Sequence, residues 1–249
     1  MIAFPKIHDV RSELGEAIRR APFLPAFKLP CRLPWPGVAA AAALLLVLPA
    51  AGAAQTCLGD AALPGQFTLG GYGHFADGGK AYGVSSTSNL SGPMALGARI
   101  GVIDLDGADE NLTSVAGHLA VEAARSATLS FCPVAAVEYD FWDGTFGGVD
   151  VDYSRLAFPI GVAVGSRLGG MSGGPALIPS ARAGVIHQRF SSGISSGPVA
   201  FQREGDATDL FLGAGATVQM GPLFARGGIY RIFQDDAETV FRLGVGLVF

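Results

Sequence analysis

From Gln66 to the C-terminus the chain alternates apolar residues with small or polar ones, in segments of about ten residues separated by turn-forming stretches. The last segment is the most regular: Phe241, Leu243, Val245, Leu247 and Phe249 share one side, and Arg242, Gly244 and Gly246 fall on the other. Met94, Leu96, Ala98, Ile100 and Val102 oppose Gly97, Arg99 and Gly101 in the same way. Leu129, Phe131, Ala135, Val137, Tyr139 and Phe141 oppose Ser130, Cys132, Glu138 and Asp140. Leu156, Phe158, Ile160, Val162 and Val164 oppose Arg155, Ala157 and Ala163, and Leu210, Leu212 and Val218 oppose Asp209, Gly213 and Thr217. A period of two sends successive side chains to opposite faces of a strand, which a helix of 3.6 residues per turn cannot sustain. The pattern predicts ten strands, over 66–75, 80–88, 94–104, 114–124, 128–141, 155–166, 177–190, 208–219, 223–233 and 239–249. Two are irregular: 80–88 is serine-rich, and 177–190 contains Pro179 and Arg182. Without those two the count is eight.

Alternation does not say which face meets water, but composition does. Charged residues make up only 15% of the 249 positions and glycine contributes 36, against a usual charged share of about 25%. The polar faces carry Gly, Ala, Ser and Thr with sparse Arg, Glu and Asp, too few charges for a solvated exterior. They suit a narrow interior, and the Leu, Val and Phe faces suit lipid. Backbone polar groups in hydrocarbon must all be paired, so strands span a bilayer only as a closed cylinder. The predicted fold is therefore all-β: a closed antiparallel up-and-down transmembrane β-barrel over 65–249, with ten strands, or eight as the alternative.

The connections are unequal. One set (76–79, 105–113, 142–154, 191–207 and 234–238) is mostly the longer and carries or adjoins most of the acids; the other (89–93, 125–127, 167–176 and 220–222) is short. Long outer loops and short periplasmic turns are the habit of such barrels, so the acidic set is assigned to the outside.

The first 54 residues are of another kind. Basic residues (Lys6, Arg11, Arg19, Arg20, Lys28, Arg32) precede the apolar run Val38–Leu48, and Pro49 and the small residues Ala50–Ala54 follow it. A basic region, a short apolar core and a small-residue exit are the parts of a secretory signal peptide. The basic region is unusually long, which leaves open a translation start downstream of Met1. Residues 55–64 would then form a short periplasmic segment. Beyond residue 54 two cysteines remain, Cys57 and Cys132, and an even number in an oxidising compartment predicts a disulfide.

With its alternating strands, signal peptide and terminal segment Phe241–Phe249, the chain resembles the small bacterial outer-membrane β-barrels of the OmpA/OmpX-like superfamily. The resemblance implies residence in the outer membrane, contact with lipid and lipopolysaccharide, and a monomer. It also implies that Phe241, Leu243, Val245, Leu247 and Phe249 are an assembly signal read by the barrel-assembly machinery. It supplies no catalytic residue and no cofactor.

Composition excludes other classes. A net charge of −4 and a pI near 5.5 do not suit a nucleic-acid binder. Mean hydropathy is +0.39, yet only one apolar run approaches the length of a membrane helix.

Candidate chemistry is sparse. Gly170-Met-Ser172-Gly-Gly174 matches the nucleophile pattern of serine hydrolases but sits in a glycine-rich turn with no helix to follow. Asp104, Asp106, Asp109 and Glu110 crowd one outer loop; oxygen clusters bind divalent cations, which could bridge to lipopolysaccharide phosphates, although the spacing is not that of an EF-hand. His74, His118 and His187 are the histidines past the leader, and His74 and His187 fall near outer strand ends, where a rim-sited hydrolase would need them. Arg99, Arg155, Arg182, Arg226 and Arg242 share the inner faces with Glu122, Glu138 and Asp140. Buried charges need partners, so a polar plug is expected; a narrow pore or small-ligand channel is the alternative. The expected role is structural or surface-interacting, without catalysis.

Overall fold

The computed structural model describes residues 57–61, 66–90, 93–105, 111–126, 129–146, 149–170, 174–196, 199–233 and 238–249. The leader, Asp106, Asp109, Glu110 and Ser172 lie outside them. Twelve strands follow in order: β1 (Phe67–Ala76), β2 (Gly79–Asn89), β3 (Met94–Leu105), β4 (Leu112–Val121), β5 (Ala124–Arg125), β6 (Leu129–Phe146), β7 (Val149–Ser166), β8 (Leu168–Gly169), β9 (Ala176–Ser196), β10 (Val199–Met220), β11 (Leu223–Phe233) and β12 (Glu238–Val248). β5 and β8 are two-residue pieces along the edges of β6 and β9.

The ten long strands pair antiparallel in sequence order, and β12 returns to β1 in register from Thr68↔Val248 to Phe75↔Phe241. The sheet is thus a closed barrel of ten strands. Phe67 and Phe249 exchange both backbone hydrogen bonds at the seam, at 3.1 and 2.9 Å, and their rings stack 4.8 Å apart. Among the described residues no helix is long and apolar enough to cross a membrane; this chain crosses with strands.

The greasy faces point outward. Val245, Leu243, Ile160, Val84 and Leu212 are all more than half exposed, an arrangement that water would penalise and acyl chains accept. The inner face buries Thr68, Ser114, Glu138, Asp140, Arg155, Gln188 and Thr217 with Ala95, Ala120, Ala157 and Ala163. The apolar belt and the closed ladder together place the barrel in an outer membrane.

Both irregular segments are full members of the wall. Serine-rich β2 still alternates, with Tyr82 and Val84 outward and Ala81 and Thr87 inward, and Pro179 lies within β9 opposite Ala216 on β10. The count is ten rather than eight.

The predicted outer loops 142–154 and 191–207 are strand. β6 and β7 remain paired through Asp143↔Asp152 to Phe146↔Val149, and β9 and β10 through Ser191↔Glu204 to Ser196↔Val199. A strand need not end where the bilayer does, because the hydrogen-bond ladder continues in water once the side chains turn polar. Two hairpins therefore project on the side opposite the chain end.

Candidate functional site

Small residues on the inner face decide where its large side chains go. Arg182 on β9 pairs with Gly213 on β10, which pairs with Tyr230 on β11. Arg182 leans over that glycine and sets its guanidinium carbon 5.1 Å from the Tyr230 ring. A Cβ at Gly213 would stand 3.0 Å from Tyr230 Cδ2 and 3.4 Å from Arg182 Nε. Tyr72 leans over Gly83 so that its hydroxyl lies on Gly101, His118 lies on Gly97, and Arg226 lies across Gly244. Gly97, Gly101, Gly213 and Gly244 thus each receive a large inward side chain.

An ion-pair layer crosses β3 to β10. Arg99 reaches over Ala116 on β4 to Glu138 on β6, with Nη2 2.8 Å from Oε1. Arg155 on β7 donates to its cross-strand neighbour Asp140 through Nε at 2.8 Å, and its Nη2 lies in ion-pair contact 2.6 Å from the same Asp140 oxygen and 3.7 Å from Glu138 Oε2. Arg155 Nη1 donates to Gln188 Oε1 at 3.1 Å, and Gln188 Nε2 donates to Asp209 on β10 at 3.1 Å. Four of the expected network residues, Arg99, Glu138, Asp140 and Arg155, come together here. Gln188 and Asp209 complete the chain; both lie on inward positions, the only signal the sequence offered for them.

The other four do not join. Glu122 lies just past β4 and pairs with Arg125 at 3.6 Å, because the turn carries it to the edge of the barrel on the side of the chain end. Arg226 Nη2 donates to Ser85 Oγ at 2.8 Å. Arg182 and Arg242 both flank Tyr230, Arg242 at 4.5 Å from the ring centre. Among the described residues, Arg182, Arg226 and Arg242 have no carboxylate partner. Side chains short of the eight-fold network are thus held by rings, a hydroxyl and glycine floors.

The mouth on the side of the chain end is filled by residues 57–61. Cys57 is disulfide-bonded to Cys132 on β6, with Cα atoms 5.9 Å apart. Thr217 donates to Gly59 O, Thr68 to Asp60 Oδ2 at 3.3 Å, and Arg167 Nη1 to Ala61 O at 3.0 Å. Arg167 Nη2 also donates to Gln219 Oε1 at 2.6 Å, and burial lowers the Arg167 pKa from its ordinary value. Gly59 has φ of +67°, a conformation open to glycine, and a Cβ there would stand 2.6 Å from Ser180 Oγ. At the opposite end the inner face becomes apolar, with Ile186, Phe211, Ile232 and Val240 in one cluster and Ala81, Ile103 and Leu112 in another, the latter packed by Trp142 and Tyr153. Between mouth and outer layer lies a cavity of about 210 Å³.

His74 faces the lumen opposite Arg242, and His118 does so from β4, whereas His187 is exposed on the outer face with Nδ1 2.9 Å from Thr208 Oγ1. The barrel wall separates the two histidines that a rim-sited hydrolase would draw on. Asp104 lies opposite Lys80 on β2, and the other three acids of its loop are outside the described residues.

The fold is that of the outer-membrane β-barrels. No family model matches the chain, and no curated protein matches it either. Solved structures of similar architecture include the N-terminal β-barrel domain of Pseudomonas aeruginosa OprF, at 16% identity and TM-score 0.35, covering 75% of this chain and 98% of that one. Ail, the attachment invasion locus protein of Yersinia pestis, in complex with the heparin analogue sucrose octasulfate, matches at 14% identity and TM-score 0.40, covering 75% and 100%. The outer membrane protease OmpT from Escherichia coli matches at 6% identity and TM-score 0.45, covering 74% and 94%. These likenesses concern architecture and transfer no residue roles.

Proposed function

We propose that the protein is a structural or surface-interacting component of a bacterial outer membrane, exported by its leader and carrying a closed, polar-plugged lumen rather than a conducting pore. The observation that carries this reading is the filling of the lumen. Arg99, Glu138, Arg155, Asp140 and Gln188 bridge the inner wall, and residues 57–61 are pinned in the periplasmic mouth by the disulfide and three hydrogen bonds. Ten strands enclose an interior close to the eight-strand size that side chains fill. On this reading the functional surface is outside: the two projecting hairpins and the acidic turns, which would meet lipopolysaccharide phosphates through divalent cations, and the terminal Phe241–Phe249 segment, which would be read by the barrel-assembly machinery. The reading assigns the protein no catalysis.

Planar-bilayer recording of the oxidised, full-length barrel tests it. The expected result is a flat baseline, whereas stepwise single-channel conductance overturns the plug in favour of a narrow pore.

A further inference from the structure

The cavity between the two closures is cationic and incompletely satisfied. Arg182, Arg226, Arg242, His74, His118, Tyr72 and Tyr230 all line it. Among the described residues, the carboxylates facing it are Glu138, held by Arg99 at 2.8 Å, and Asp60, which accepts from Thr68. Arg226 is on Ser85. Among the described residues, Nε and Nη2 of Arg242 and the hydroxyl of Tyr230 find no hydrogen-bond partner and are buried, and Tyr230 is 1% exposed. A buried guanidinium with unmet donors carries a desolvation penalty that a counter-charge relieves. Planar, forked donors also match oxyanion geometry better than a point charge does.

Size restricts the occupant. The cavity, about 210 Å³, is far larger than the roughly 10–15 Å³ needed for one water and smaller than the roughly 300–1,000 Å³ of pockets for drug-sized molecules. We infer that the lumen holds a binding site for one small oxyanion, of the phosphate or sulfate class, at the Arg242 guanidinium and the Tyr230 hydroxyl, with Arg182 on the same ring adding positive charge. Arg226 adds positive potential from across Gly244. The ion-pair layer is a separate structure: its arginines already have carboxylates.

The inference does not depend on the proposed surface role, and its test is separate from the conductance measurement. The full-length barrel is folded into detergent micelles with inorganic phosphate, and its thermal midpoint is followed by the shift between folded and unfolded gel mobility. A ligand that binds only the folded state raises the midpoint with concentration. The expected result is a saturable rise with phosphate that chloride at equal ionic strength does not give. R182Q/R242Q should weaken the apparent Kd at least tenfold, and K80Q, on the outer face, should leave it unchanged. An equal rise with chloride overturns the site, as does retention of the phosphate effect in R182Q/R242Q. Should that variant fail to fold, crystals of the unaltered protein soaked in selenate decide: anomalous density within hydrogen-bond distance of Arg242 supports the site, and density found only elsewhere, or none, overturns it.

Discussion

Arg155 closes on a single oxygen of Asp140 with two of its nitrogens, Nε at 2.8 Å and Nη2 at 2.6 Å from Oδ2. The residues are direct cross-strand partners on β6 and β7, and both are buried. Each charge is therefore tolerated inside the wall because the other is there.

Removing one partner should cost far more than removing both. D140N leaves the Arg155 cation buried with only Gln188 and Glu138 near it, and a stability loss of about 3–5 kcal/mol is expected. The double variant D140L/R155M, apolar and of similar volume, should recover most of it. Urea titration of the three barrels folded in vesicles measures the difference, and a double variant no more stable than D140N refutes the argument.

The disulfide should matter at the mouth rather than in the wall. It closes a loop of 75 residues' separation, and loss of a native disulfide costs about 2–5 kcal/mol. C57S/C132S should still form the barrel, because the β12–β1 seam and every other strand pairing are independent of it. Residues 57–61 would lose their covalent hold and should become cleavable by added protease in the folded protein. Protection equal to that of the oxidised protein would show that Thr217, Thr68 and Arg167 hold the segment unaided.

Depth in the bilayer should grade the outer face. Val245 stands mid-strand on β12 and is 64% exposed, so it faces acyl chains. V245R is expected to cost about 2–4 kcal/mol of folding free energy in vesicles, the midplane figure for a lipid-facing arginine. H187R, beyond the apolar belt of β9 beside Thr208, should cost at most about 1 kcal/mol. Equal penalties at the two positions would remove the bilayer from the picture.

The alternation of Leu243, Val245 and Leu247 with Gly244 and Gly246 was enough to read a strand and, with so few charges available, to say which face met lipid. Parity is a local property, fixed by the pleat, so it survives in one dimension. Strand ends were less legible. Asp143 and Asp152 look like loop residues, yet they are cross-strand partners in a ladder that continues past the apolar belt, since polarity marks the bilayer boundary and not the end of hydrogen bonding. The neighbours across the wall were not legible at all. That Arg182 lies over Gly213 toward Tyr230, while Arg99 reaches past Ala116 to Glu138, depends on which small residue the register sets beside each large one.

What the residues alone determined is thus the two-faced strand, its repetition and the greasy exterior, because each follows from side chains one or two positions apart. Which inward charges meet carboxylates, and which are left on aromatic rings around a cavity, was decided only when ten strands closed. The register of that ring brings together residues as far apart as Ser85 and Arg226, and no periodicity within a segment encodes it.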